Sequence, residues 1–375
     1  MTFHYKPFFQ ALWFSFYTSS IKKICIMLGV WMVFLPGVIL NNIALFLDHI
    51  LFHHFKNIRI KKPIFIIGNA RSGTTFFHRV LCMDKNRYAF FKTYEVFFPS
   101  LLFRKMSLCL IHILEWLFKD KLTRWMNKKE TALFSNVNHI HKVSMNQAEE
   151  EEALFFFRFW SVDLHFLFPF LSKMEDMNQF ETLSGSERKK LLVYYENCLK
   201  RHMTIHGEEK TFLSKNPNST SKMWELYDHF PDSRFILLIR NPLEQIPSVL
   251  NLFKTVWENL SGPTACDSPE FKRLYEINVD MYKYMLRALP RIDSQRIAIV
   301  LYDHLIKDPE AVIKSVYNHF GMEISDDFAN ILSAEKKRHE TYKSTHEYSL
   351  EKYNLTKEKI YNDLEEVFNT FGFSI

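Results

Sequence analysis

Eight consecutive residues, Gly68-Asn69-Ala70-Arg71-Ser72-Gly73-Thr74-Thr75, bring two glycines, one cation and three hydroxyls into a single short segment. If that segment carries the chain from a strand into a helix, its backbone N–H groups converge and the positive end of the helix dipole stands behind them. The result is an anion site. The register is Gly-x4-Gly-Thr-Thr. In loops that grip nucleoside triphosphates the second glycine is followed by lysine, which reaches the terminal phosphates, and then by a hydroxyl that binds Mg²⁺. Thr74 stands at the lysine position here, which argues against ATP or GTP hydrolysis. Arg71 instead puts the cation inside the loop, with Ser72, Thr74 and Thr75 as added donors.

Elements able to present such a loop are legible on both sides of it. Residues 63–67 (PIFII) form a continuous apolar, β-branched run, read as a strand buried on both faces and ended by Gly68. From Thr74 onward Phe76, Phe77, Val80 and Leu81 recur at helical spacing. Similar strand runs lie at residues 211–213, 234–239 and 296–301. Helical patterns cover 100–118, 185–206, 219–230, 243–259, 270–289 and 309–320. Asn241-Pro242 and Asp308-Pro309 read as helix starts. The alternation predicts an α/β fold of three layers, a parallel β-sheet flanked by helices. Arg240 then ends a strand at its carboxyl edge, where open α/β sheets bind ligands, and Ser248 lies one or two turns into the next helix.

Composition sets outer bounds. Hydrophobic residues make up 47% of the 375 residues, with 37 Phe and only 9 Gly, which excludes disordered, collagenous and small disulfide-scaffold classes. The net charge of +6 is spread along the chain, without the dense basic stripe that a nucleic-acid partner requires. Five widely spaced cysteines without a Cys-x-x-Cys pair argue against a disulfide framework or zinc site and for a reducing compartment.

Residues 24–40 form an uncharged apolar run between Lys22-Lys23 and Asn41-Asn42, at the lower length limit for a membrane span and with Pro36-Gly37 expected to kink it. Three placements fit: a transmembrane helix, a helix lying in the membrane interface, and a helix buried against the domain. Cations flank both ends, so the charge rule leans only slightly towards a cytoplasmic catalytic domain. A break before Lys61-Lys62-Pro63 divides the chain into a helical, membrane-associated extension over 1–58 and a catalytic domain over 59–375.

IFIIGNARSGTTFFHRVL resembles the 5′-phosphosulfate motif of sulfotransferases that use PAPS (3′-phosphoadenosine 5′-phosphosulfate). RFILLIRNPLEQIPSVLNLF resembles their 3′-phosphate motif. The similarity continues through FLSKNPNSTSKMWELYDHFPDS and IAIVLYDHLIKDPEAVIKSVYNHFG to HEYS and YNLT, in order over about residues 60–354. It implies the P-loop NTPase-like sulfotransferase fold, with PAPS as co-substrate and no metal, since the donor carries no triphosphate. Arg71, Ser72, Gly73, Thr74 and Thr75 would hold the 5′-phosphosulfate, and Arg240 and Ser248 the 3′-phosphate. Lys215, in Leu213-Ser214-Lys215-Asn216-Pro217, matches a family lysine near the transferred group. Glu95 is the first candidate for the base that takes the acceptor proton; His78 and His346 are the others.

The acceptor is expected to be a lipid, glycan or small molecule bearing a hydroxyl or amine. Gln147–Glu152 (QAEEEE) holds four consecutive carboxylates, read as a solvated helix start. The aromatic stretch at 155–170 is read as core packing ahead of an apolar acceptor pocket. Glycan sequons at Asn218, Asn259 and Asn354 are expected to be unused. Competing assignments are a P-loop nucleotide kinase or NTPase and a membrane-anchored nucleotide-binding protein without turnover.

Overall fold

The computed structural model describes residues 3–17, 20–118, 147–339 and 349–375. Helices α1 (Tyr5–Tyr17) and α2 (Ile21–Leu51) precede strand β1 (Ile64–Ile67), helix α3 (Thr74–Leu81) and the two-residue strand β2 (Tyr88–Ala89). Helices α4 (Thr93–Phe97), α5 (Leu101–Phe118) and α6 (Gly185–His206) lead to β3 (Thr211–Lys215). Then come α7 (Met223–His229), β4 (Arg234–Ile239), α8 (Pro242–Ser261), α9 (Pro269–Ala288) and β5 (Ile297–Leu301). Helices α10 (Pro309–His319), α11 (Asp326–His339) and α12 (Lys357–Phe371) follow, and further short helices and 3-10 turns, among them Tyr302–Lys307, lie between these elements of the described residues.

All strand pairs are parallel, in the order β2-β3-β1-β4-β5. Because side chains alternate along a strand, the sheet feeds two cores. Phe65, Ile67, Phe235 and Leu237 pack with α6, α8, α9 and α12 on one face. Ile64, Ile66, Ile236 and Leu238 pack with α3, α10 and α11 on the other. This is the three-layer arrangement expected from the alternation, with β1 at the centre of the sheet.

The helix expected over 219–230 is shorter than its pattern. Asn216 caps a 3-10 turn at Pro217–Lys222, and the α-helix begins only at Met223. Ser219, Thr220 and Ser221 explain the delay, since short hydroxyl side chains compete for backbone partners and disfavour α-helix. Ser221 is used in just this way, its Oγ donating to Asn218 O at 2.8 Å, while Thr220 Oγ1 accepts from Gly68 N at 2.8 Å.

Helix α2 runs uninterrupted through Pro36, and one of its faces is built into the body. Trp31 packs against Phe159 and Phe168 and donates from Nε1 to Ser15 of α1 at 3.0 Å. Asp48 is fully buried; it accepts from Ser100 Oγ, Leu101 N and Leu102 N, each at 2.9 Å, and from Arg201 Nε at 2.8 Å. One carboxylate thus caps α5 and neutralises a buried guanidinium on α6.

Candidate active site

The loop after β1 requires both of its glycines. Gly68 has φ +136°, and a Cβ there would lie 2.1 Å from Leu238 O; Gly73 has φ +88°, with Tyr302 Cδ2 2.9 Å from a Cβ. Arg71 is also left-handed at φ +73°, rare for a side-chain-bearing residue and the mark of a loop curled into a nest of N–H groups. Ser72 is fully buried, and its Oγ has no hydrogen-bond partner among the described residues. A buried orphan hydroxyl in such a nest suits an anionic ligand.

Two further elements converge on this loop. Arg71 Nε donates to Ser248 Oγ of α8 at 3.1 Å, and Arg240 Nη1 donates to Arg71 O at 3.2 Å. Tyr282 of α9 holds the end of β4 by donating to Arg240 O at 2.9 Å. Arg240 otherwise binds Glu244 and stacks over Tyr302, 4.3 Å from the ring centroid. Residues 71–75, 240 and 248 therefore lie at one edge of the sheet, around β1 and β4.

Lys215 comes to the same edge from β3. Its Nζ lies 3.5 Å from Thr75 Oγ1, 3.0 Å from Glu150 Oε2 and 3.7 Å from Glu149 Oε1. Burial works against its charge, but Glu150 and Glu149 outweigh that, and the ammonium pKa is raised. The carboxylate run does begin a helical element, the 3-10 helix Glu151–Arg158, but Glu151 and Glu152 are buried in it and not solvated. Residues 147–149 pair with the edge beyond β2, through Thr93 N to Gln147 O and Glu149 N to Phe91 O. Glu151 is buried and accepts from Ser214 Oγ, Tyr195 OH and Lys215 N; Glu152 accepts from Asn216 Nδ2 at 2.7 Å and Lys222 Nζ at 3.3 Å. These two tie the segment to β3 and so fix Lys215 beside Glu150.

Glu95 sits elsewhere in the hydrogen-bond network. It is 2% exposed and accepts from Lys92 N at 2.9 Å. His206 Nε2 is 2.8 Å away and Arg104 Nη1 3.5 Å. Burial raises its pKa, but the hydrogen bond from His206 and the Arg104 charge prevail, and the net direction is down. Ligand atoms of Glu95, His202 and His206 lie within 4.8 Å of one another, a spacing that could hold a metal ion. The Arg104 guanidinium, 3.1 Å from His202 Nδ1, already brings a cation there. His78 is buried in α3; burial first, then Lys215 and Arg79, hold its pKa well below the ordinary value. His346 lies outside the described residues.

A cavity of about 60 Å³ opens beside Ala70 and Glu150 and is lined by Asp163, Phe166, Phe253 and Asn278 among others. Phe166 stacks on Phe253 with centroids 4.1 Å apart, while Phe155, Phe159 and Phe168 are core. The aromatic stretch thus mostly packs the interior and gives one ring to the cavity. Asp163 accepts from Asn218 Nδ2 at 2.9 Å, and burial, then Glu150 and Glu152, raise its pKa well above the usual carboxylate range. Glu150 and Asp163 are site carboxylates that sequence reading missed. The QAEEEE run was a signal for the first; nothing marked the second.

A sulfotransferase family profile matches residues 63–326. Omega-hydroxy-beta-dihydromenaquinone-9 sulfotransferases of Mycobacterium bovis and Mycobacterium tuberculosis are 24% identical over 264 residues, covering 69% of this chain and 63% of each relative. Among solved structures, the sulfotransferase STF9 of Mycobacterium avium superposes with a TM-score of 0.69 at 16% identity, covering 88% of this chain and 82% of that one. STF1 of Mycobacterium tuberculosis gives 0.62 at 20% identity, covering 91% and 90%. These two likenesses show a shared fold.

Proposed function

This chain belongs to the sulfotransferase family, and from that premise we propose that it transfers a sulfuryl group from PAPS to a hydroxyl of a lipid-like acceptor. The donor assignment is carried by the linked trio Arg71, Ser248 and Arg240, which joins the anion loop to the end of β4 and the start of α8. The 5′-phosphosulfate is assigned to the nest of residues 71–75 and the 3′-phosphate to Arg240 and Ser248. All of these groups come from residues 59–375, the part assigned to catalysis. The acceptor class is supported by two relatives whose name specifies an omega-hydroxylated menaquinone derivative.

In the transfer, the acceptor oxygen attacks sulfur, the bond from sulfur to the 5′-phosphate oxygen breaks, and adenosine 3′,5′-bisphosphate leaves. Thr74 and Thr75 and the loop N–H groups offset charge on the sulfuryl oxygens, and Lys215 offsets charge on the leaving phosphate. The acceptor proton goes to a carboxylate. Glu150 is favoured, being partly exposed, on the cavity and 3.0 Å from Lys215 Nζ. Glu95 is the second reading, with its carboxylate committed to His206 and Arg104.

Sulfate transfer from radiolabelled PAPS to a quinol-containing lipid extract tests the activity. Titration with adenosine 3′,5′-bisphosphate and with ATP tests the donor. Binding of ATP without response to the bisphosphate would return the chain to the nucleotide kinase and NTPase alternative. Bisphosphate binding without transfer to any extract fraction would favour the binder without turnover. Glu150→Gln should keep bisphosphate affinity and lower kcat at least about a hundredfold; the same split for Glu95→Gln, with Glu150→Gln unaffected, would move the base to Glu95.

A further inference from the structure

The buried side of α2 raises the question of what covers its other side. Leu28, Met32, Leu35, Ile39, Ile43 and Phe46 follow one another at three- and four-residue spacing, all exposed, Met32 by 72%. Beside them α1 exposes Tyr5, Phe9, Trp13 and Tyr17, again four residues apart. Met106, Leu110 and Ile113 of α5, which packs against α2, add a third apolar stripe. Three neighbouring helices that each leave an apolar stripe in water make a patch well beyond what a monomer normally exposes.

We propose that this three-helix face lies flat in one leaflet of a lipid bilayer and docks the catalytic body on the membrane without crossing it. Spanning is opposed by the anchors on the opposite side of α2. Met27, Trp31, Asn41 and Asp48 are all seated in the body, and the stretch from Met27 to Asp48 is about 32 Å of helix at 1.5 Å per residue. Inserting α2 across a bilayer would strip Trp31 from its aromatic partners and Asp48 from Arg201. Charge selects the occupant. Between Met1 and Leu51 the only carboxylate is Asp48, which is buried. Lys22 and Lys23 at the start of α2, and Lys56, Arg59 and Lys105 near its end, are exposed cations. An anionic leaflet meets that rim favourably, whereas a second copy related by a twofold axis would set cations against cations. Tyr5, Trp13 and Tyr17 are the aromatic types that favour the headgroup boundary. The docking is independent of the sulfotransfer reading.

Flotation of the full chain with sealed vesicles of phosphatidylcholine, with and without phosphatidylglycerol, tests this. The chain should float with both, more with the anionic lipid, and the excess should vanish at high salt. Met32→Glu/Ile39→Glu/Ile43→Glu changes only exposed positions; it should keep the parent's thermal unfolding and lose vesicle binding by more than about tenfold. An unchanged partition in that variant overturns the proposal. So does a stable dimer in vesicle-free solution that the variant dissociates, since the face would then belong to a second copy. An N-terminal epitope should be cleaved by protease added outside the vesicles; its protection while the catalytic part is digested would mean that α2 crosses, and would also overturn the proposal. Because flotation needs no turnover, a failed transfer assay and a failed docking assay are separate outcomes.

Discussion

Arg240 shows what one residue does at the edge of this sheet. It directly follows β4, is held through its own carbonyl by Tyr282, and reaches back to Arg71 O. Arg240→Ala should leave thermal stability nearly unchanged and weaken adenosine 3′,5′-bisphosphate binding roughly 30-fold, the scale of a charge-assisted hydrogen bond, as titration calorimetry would read it. Glu95 works in the opposite sense, through stability. Its carboxylate and the Arg104 guanidinium are both almost fully buried, 3.5 Å apart. Removing one partner strands the other charge, so Glu95→Gln should cost about 3 kcal/mol in denaturant unfolding. The folded pKa of Glu95 is depressed, so its contribution is present above the unfolded value of about 4.3 and is lost as pH falls through the folded value. Stability of the parent chain should therefore drop in acid more steeply than that of the Gln variant.

At the scale of elements, the loop between β1 and α3 depends on backbone shape. Gly68 faces the β4 backbone, which cannot yield, whereas Gly73 faces the ring of Tyr302, which can turn. Gly68→Ala should therefore unfold the sheet centre or sharply lower the melting temperature. Gly73→Ala should fold, at a strain of about 1–3 kcal/mol, and lose donor affinity. Melting curves and bisphosphate titration on the two variants separate these outcomes; equal melting temperatures would contradict the assignment of a rigid neighbour to Gly68 alone. The Gly68–Thr75 register, the strand runs and Arg240 with Ser248 were legible because each is encoded within a few residues. The seat of Glu95 was not, because it depends on His206, 111 positions away. The use made of QAEEEE was hidden for the same reason, since Lys215 lies 65 positions from Glu150.

For the whole molecule, the first two helices are a structural layer as well as a candidate docking surface. We propose that residues 1–58 cannot be removed without cost: Phe159 and Phe168 would lose Trp31, and Arg201 would lose its Asp48 partner. A chain starting at Arg59 should be insoluble or melt well below the full chain; size-exclusion and thermal unfolding of the two would check this, and equal melting would show that the layer is dispensable. The sequence by itself determined the parallel α/β plan, the glycine loop without its lysine, and the family, because strand alternation and loop composition are local properties. Only the tertiary structure decided which side of the apolar N-terminal helix is buried and which carboxylate meets Lys215. Burial and ion pairing are set by contacts between segments far apart in the chain, and those distances exist only after folding.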